Sequence, residues 1–155
     1  MNFISKARSL SLGDYYMLLW ANIMLPVTGL RLRAQGFKKV YGWANGGSSM
    51  PPQKTGDSLN RPIQLGKLIN FAALHGLYHA KCLCRSLVLL KVLRKEGFAG
   101  ELKVGVSSEF GGKPPSILDA HAWVECDGVV VNDHANVAAN HAVFHLTGLL
   151  DDASK

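Results

Sequence analysis

The stretch "YHAKCLCRSLVLLKVLRKEG", residues 78–97, decides how the rest of the chain is read. Leu83, Leu87, Val88 and Leu90 give it a wide apolar face, its basic residues come late, and Gly97 stands where a helix commonly stops. The spacing predicts an amphipathic helix with two cysteines at its start. Cys82 and Cys84 would lie about 200° apart around a helix of 3.6 residues per turn, so they cannot face one partner. Cys84 stacks with Val88 at i+4, the pattern of a buried small hydrophobe. Cys82 falls where unpaired backbone amides and the helix dipole favour an anion, which is the setting a nucleophilic thiol needs.

Working backward, Pro62 and the near-helical recurrence of Ile63, Leu65, Leu68, Ile69, Ala72 and Ala73 predict a helix from Pro62 to about Leu77. Residues 44–61, "ANGGSSMPPQKTGDSLNR", read as a loop. Before them, Ser11 is a candidate N-cap for a helix from Leu12, with Pro26 bending or ending it and a second piece reaching Gln35 and Gly36, an N-terminal helical hairpin. Working forward, Leu102, Val104 and Val106 alternate as a strand, residues 109–118 read as loop, and "AHAWVECDGVVVND", residues 120–133, reads as two strands around a turn. Helices first and strands after predict an α+β domain with a small antiparallel sheet packed on a helix. The 155 residues are read as one domain: 1–43 an N-terminal helical region, 44–61 a loop, 62–155 the core.

Three cysteines cannot all pair with one another, which favours reduced thiols over a disulfide framework. Of the net charge of +6, residues 1–43 carry most, with Lys6, Arg8, Arg31, Arg33, Lys38 and Lys39 against Asp14 alone. Such a segment can steer acidic partners, yet no nucleic-acid motif accompanies it. The uncharged run from Tyr15 to Leu30 is short for a membrane span and contains Asn22 and Pro26, and no secretory signal is visible, so a cytoplasmic protein that does not cross a membrane is expected. His79, Cys82 and Cys84 lack the second spaced pair of a zinc framework.

A cysteine nucleophile needs a base, and the base an orienting group. His121 and Asp133 flank the turn at 126–128. A two-residue Asp127-Gly128 turn would pair Cys126 with Val129 and send Asp133 to the face opposite His121, forbidding the pair. A three-residue turn, Cys126-Asp127-Gly128, would set His121 directly against Asp133 with Gly128 in the left-handed position and Trp123 shielding them, and it is the reading adopted. Of His75, His79, His134, His141 and His145, most are read as surface or capping residues.

"CLCRSLVLLKVLRKEG", "LKVGV" and "AHAWVECDGVVVND" together resemble the cysteine leader peptidases of lasso-peptide biosynthesis, which have a transglutaminase-like, papain-like fold. The resemblance implies Cys82 as nucleophile, His121 as base and Asp133 as orienter, with no cofactor and no metal. It also implies a stand-alone peptidase that relies on a separate precursor-recognition protein, cuts the leader from a ribosomally made lasso precursor peptide, and hands the product to an ATP-dependent lasso cyclase. Cys84 stands at the variable position inside the motif and leaves the nucleophile open to direct test. A transglutaminase-like acyltransferase or deamidase would use the same three residues, and a non-catalytic peptide-binding scaffold would need none of them.

Overall fold

The computed structural model describes residues 10–46, 59–107 and 120–144, in the order helices α1 (Leu12–Asn45), α2 (Asn60–His75) and α3 (Cys82–Lys95), then strands β1 (Gly100–Ser107), β2 (Ala120–Cys126), β3 (Val129–Val130) and β4 (His141–Phe144). The α+β class read from the sequence is the class observed. Of the 44–61 loop, residues 47–58 lie outside the described residues, as does the 109–118 loop; residues 44 and 45 finish α1, and 60 and 61 open α2.

Ser11 caps α1 as a reciprocal box: its hydroxyl accepts from the Asp14 amide at 3.2 Å, and the Asp14 carboxylate accepts from the Ser11 amide at 2.9 Å. Asp14 is buried, and its other oxygen accepts from Gln64 at 2.8 Å and from Arg61 at 3.4 Å. Arg61 also grips Glu96 with Nε at 3.0 Å and Nη2 at 2.9 Å. One guanidinium thereby links the start of α1, the start of α2 and the end of α3, and a buried carboxylate is left with partners on every side.

The expected hairpin bending at Pro26 is corrected. The helix runs through Pro26 and leaves helical geometry only at Gly36, with φ 77° and ψ 170°. A proline inside a helix costs about 3 kcal/mol, but Ala21 and Leu25 before it and Thr28 and Gly29 after it are buried. Packing on both sides of the proline offsets the lost backbone bond, since one fully buried leucine contributes about 1.5–3 kcal/mol. Gly36 adopts a left-handed φ that only glycine enters freely.

Helix α3 is the hub. Leu87, Val88, Leu89, Leu90, Val92 and Leu93 are all buried, so the helix is apolar around most of its circumference and is covered by α1 and α2 as well as by the sheet. It ends as expected: Gly97 has φ 85°, and the Phe98 amide donates back to the Leu93 carbonyl at 2.8 Å. In α2, Pro62 is the third residue rather than the first, still within the turn whose amides have no intrahelical acceptor.

The four strands are all antiparallel in the order β3-β2-β1-β4. Leu102 opposes Val124, Val104 opposes Ala122, and Gly105 opposes His121. Leu102, Ala122, Val124 and Cys126 belong to the core with α3, while His121, Trp123 and Glu125 alternate onto the other face. Strand β4 was not expected from the sequence; it spans four residues and is held by pairing with β1.

Candidate active site

The hairpin turn is corrected. Asp127 and Gly128 both have positive φ, 49° and 77°, and Cys126 pairs with Val129 and Glu125 with Val130. This is the two-residue primed turn, whose twist matches that of the strands it joins, and not the three-residue loop. Its register, continued, would carry Asn132 to the His121 face and Asp133 to the helix face. The paired strand instead ends at Val130, with one last bond in register from the Val131 amide to the Val124 carbonyl at 3.0 Å. Residues 131–133 bend, and the two side chains exchange faces: Asn132 donates to Ser86 of α3 at 3.0 Å, and Asp133 meets His121 with Oδ2 at 2.5 Å from Nε2. The pair forms because the strand ends, not because of its register.

Asp133 is fully engaged. Oδ2 takes the His121 ring and Oδ1 accepts from the His134 amide at 2.7 Å. Burial alone would raise its proton affinity, but the hydrogen bonds from His121 and the His134 backbone prevail and hold the carboxyl below the ordinary range. A carboxylate accepts only, so Nε2 carries the hydrogen and Nδ1 is the nitrogen left to take a proton from another group.

Rings wall the imidazole. The fully buried Trp123 ring lies 6.2 Å from it, centroid to centroid, and the Trp123 indole donates to Glu125 at 2.8 Å. The His141 ring lies 5.5 Å from His121 and 5.8 Å from Trp123. Its Nδ1 is 2.9 Å from the Val137 carbonyl and therefore donates to it. Gly105 makes this crossing possible, because a Cβ there would press on the Cβ of His141 at 2.8 Å and on the Trp123 ring at 3.1 Å. His141, one of five histidines read mostly as surface or capping residues, instead packs half-buried against the His121 and Trp123 rings; its only sequence signal was its residue type. His75, His79 and His134 are exposed as expected, and His145 lies outside the described residues.

Cys82 is the first residue of α3 and is half-buried. It shares a helix face with Ser86, four residues on. The Ser86 hydroxyl donates to the Ala122 carbonyl, next to His121, at 2.9 Å, so that face of α3 is turned to the strand bearing the imidazole. Among the described residues no hydrogen bond joins Cys82 to His121. The cap residue Lys81 supplies no side-chain acceptor to the first-turn amides of α3, in contrast to the boxed start of α1. Cys84 and Cys126 are buried, and burial pushes both thiols up to about 11, so neither ionises near neutral pH. Cys84 also donates to the Leu25 carbonyl at 3.3 Å. It is core packing. No group of three or more His, Cys, Asp or Glu side chains converges to hold a metal ion among the described residues.

One α+β frame thus carries a half-buried thiol at the start of α3 and, on a strand packed against that helix, an imidazole hydrogen-bonded to a carboxylate. The chain belongs to the transglutaminase-like superfamily, whose sequence profile matches residues 24–145 and so includes Cys82, His121 and Asp133. That superfamily includes cysteine peptidases and acyltransferases. No curated protein and no solved structure matches the chain.

Proposed function

We propose that the protein is a cysteine endopeptidase that removes the leader from a lasso-peptide precursor, with Cys82 as nucleophile, His121 as base and Asp133 as orienter. The observation that carries this reading is the hydrogen bond between His121 and Asp133, held on the strand that meets the face of α3 on which Cys82 opens the helix. The cysteine-bearing helix start and the strand motif that resemble the lasso peptidases contain these same residues.

Cys82 Sγ attacks the scissile carbonyl, and its proton passes to His121 Nδ1. The oxyanion is met by first-turn amides of α3, which point along the helix axis toward developing negative charge. As the tetrahedral adduct collapses, the C–N bond breaks and His121 protonates the departing amine, leaving the leader as a thioester on Cys82. Water then gives a proton to His121 and attacks the thioester; the leader leaves as a carboxylate and the thiol re-forms. The released core carries a new α-amine, which the ATP-dependent cyclase would use to close the ring.

The surface of α1 supports a partnership with a separate recognition protein. Every exposed residue from Leu12 to Leu30 is apolar, aromatic or glycine: Leu12, Gly13, Tyr15, Tyr16, Leu19, Ile23, Val27 and Leu30. They include a ridge repeating every three or four residues over about 27 Å, beyond which Arg33, Lys38 and Lys39 are exposed. A second copy of the chain offers no exposed carboxylate along this stretch, since Asp14 is buried, so the fitting occupant is a different protein with an apolar groove and acidic residues at one end. None of the described helices is long and apolar enough to cross a membrane.

The test is mass spectrometry of a lasso precursor incubated with this protein and its recognition protein. Cleavage at one bond, absent with Cys82→Ala and kept with Cys84→Ala, is expected. A thioester resolved by an added amine rather than by water would move the reading to an acyltransferase, and intact precursor with retained binding would move it to a scaffold.

A further inference from the structure

The segment that delivers Asp133 to His121 is held by one residue, Asn132, whose side chain bonds to two elements and whose main chain bonds to a third. Asn132 Oδ1 accepts from the Val124 amide of β2 at 2.8 Å, replacing the partner that the ended strand no longer supplies. Asn132 Nδ2 donates to Ser86 Oγ of α3 at 3.0 Å, and its main-chain carbonyl accepts from Asn70 of α2 at 2.6 Å. Ser86 is fully buried, and its hydroxyl hydrogen goes to the Ala122 carbonyl. The α2 backbone comes so close at Gly66 that a Cβ there would overlap the Val131 carbonyl.

We propose that Ser86 and Asn132 are positioning residues that lock Asp133 onto His121 and tie that pair to the helix that Cys82 opens. The bend at 131–133 is needed because the two-residue turn would otherwise send Asp133 to the wrong face. Asn132 is the residue that holds the bend, because its side-chain amide can accept from a strand and donate to a helix at once. Satisfying the Val124 amide needs only an acceptor; the second bond, from Asn132 to the buried Ser86 hydroxyl, is a side-chain pair that apolar groups of the same shape could replace at little cost, and it is the one that ties the bend to α3. Ser86 lies one helical turn from Cys82 and bonds to the residue beside His121, so the same two bonds fix nucleophile and base relative to each other.

This rests on the triad reading for its catalytic consequence, and the placement itself is testable without substrate. Two readouts serve: the downfield proton NMR signal of the hydrogen between His121 Nε2 and Asp133, assigned as the signal lost in Asp133→Asn, and the rate of Cys82 alkylation by iodoacetamide at pH 6–7, located by peptide mapping. Asn132→Ala should abolish the proton signal in a protein that still melts cooperatively, and slow alkylation by roughly ten- to a hundredfold, the range for loss of one charge-assisted hydrogen bond. In an Asp133→Asn background, Asn132→Ala should slow alkylation no further, because its effect runs through Asp133. Where Asn132→Ala fails to fold, Ser86→Ala carries the same comparison. A retained proton signal in the folded variant, a multiplicative loss in the double variant, or no downfield proton in the wild type would each overturn the proposal. A wild type with the proton, lost on Asn132→Ala, but with an unreactive Cys82 supports the positioning role and defeats the peptidase reading alone.

Discussion

Replacing Gly66 by alanine tests the packing beneath the site and pits two physical effects of opposite sign against each other. Gly66 is buried inside α2, where helix propensity alone favours alanine by about 1 kcal/mol. The added Cβ would overlap the Val131 carbonyl oxygen and lie 2.8 Å from its carbon and 3.2 Å from the Asn132 Cα. These are backbone atoms, which cannot rotate aside, so the overlap belongs at the upper end of the about 1–3 kcal/mol that overpacking costs. The net is a destabilisation of about 1–2 kcal/mol, or a Tm lower by about 2–8 °C for a chain of this size. Gly42, also in a helix, is the control: a Cβ there meets nothing within 4 Å, and Gly42→Ala should raise the Tm by about 2–4 °C. Thermal unfolding of the two variants by circular dichroism decides the matter, because composition and propensity treat them alike. A Gly66→Ala protein as stable as the wild type, or more so, would refute the close approach of α2 to residues 131–132 and with it the support of Asp133 described above.

Thiol mapping with iodoacetamide at neutral pH should label Cys82 in the folded protein and leave Cys84 and Cys126 unlabelled, because burial pushes both of the latter up to about 11; preferential labelling of Cys84 would sink the assignment of the nucleophile. Asp133 is held below the ordinary carboxylate range, so its contribution to stability is present above the unfolded value and is lost as pH falls through the folded one. Asp133→Asn should therefore flatten the acid limb of the stability profile, and unchanged acid sensitivity in urea titrations between pH 6 and pH 3 would count against the pair. On α1, Leu19→Asp and Ile23→Asp place charge on an exposed ridge and should weaken binding to the recognition protein at least tenfold with little change in Tm; unaltered binding in a titration calorimeter would remove the ridge as the docking face.

Much of the architecture was legible because it is written in local chemistry. Ser11 at a helix start, the apolar face of Leu83, Leu87, Val88 and Leu90, Gly97 at a helix end and the alternation of Leu102, Val104 and Val106 each act through near neighbours, and each fell where the spacing put it. Pro26 misled because local chemistry predicts a break that burial of Leu25 and Thr28 overrules, and β4 was invisible because four residues take their strand form from β1 alone. The turn is more instructive. Asp127-Gly128 is the sequence signal for a two-residue primed turn, and a longer loop looked necessary only because the strand after it was assumed to continue.

By itself the sequence determined the cysteine-bearing helix, the candidate residues Cys82, His121 and Asp133, and the α+β order, since periodicity, capping and residue chemistry are properties of short stretches. Only the tertiary structure decided that Asp133 reaches His121 through a bend held by Ser86, Asn132 and Asn70, that His141 crosses Gly105 to join the site, and that the α1 ridge faces outward. Those contacts join residues between 12 and 62 positions apart in the chain, where nothing in the local pattern of either partner fixes which of several faces will meet.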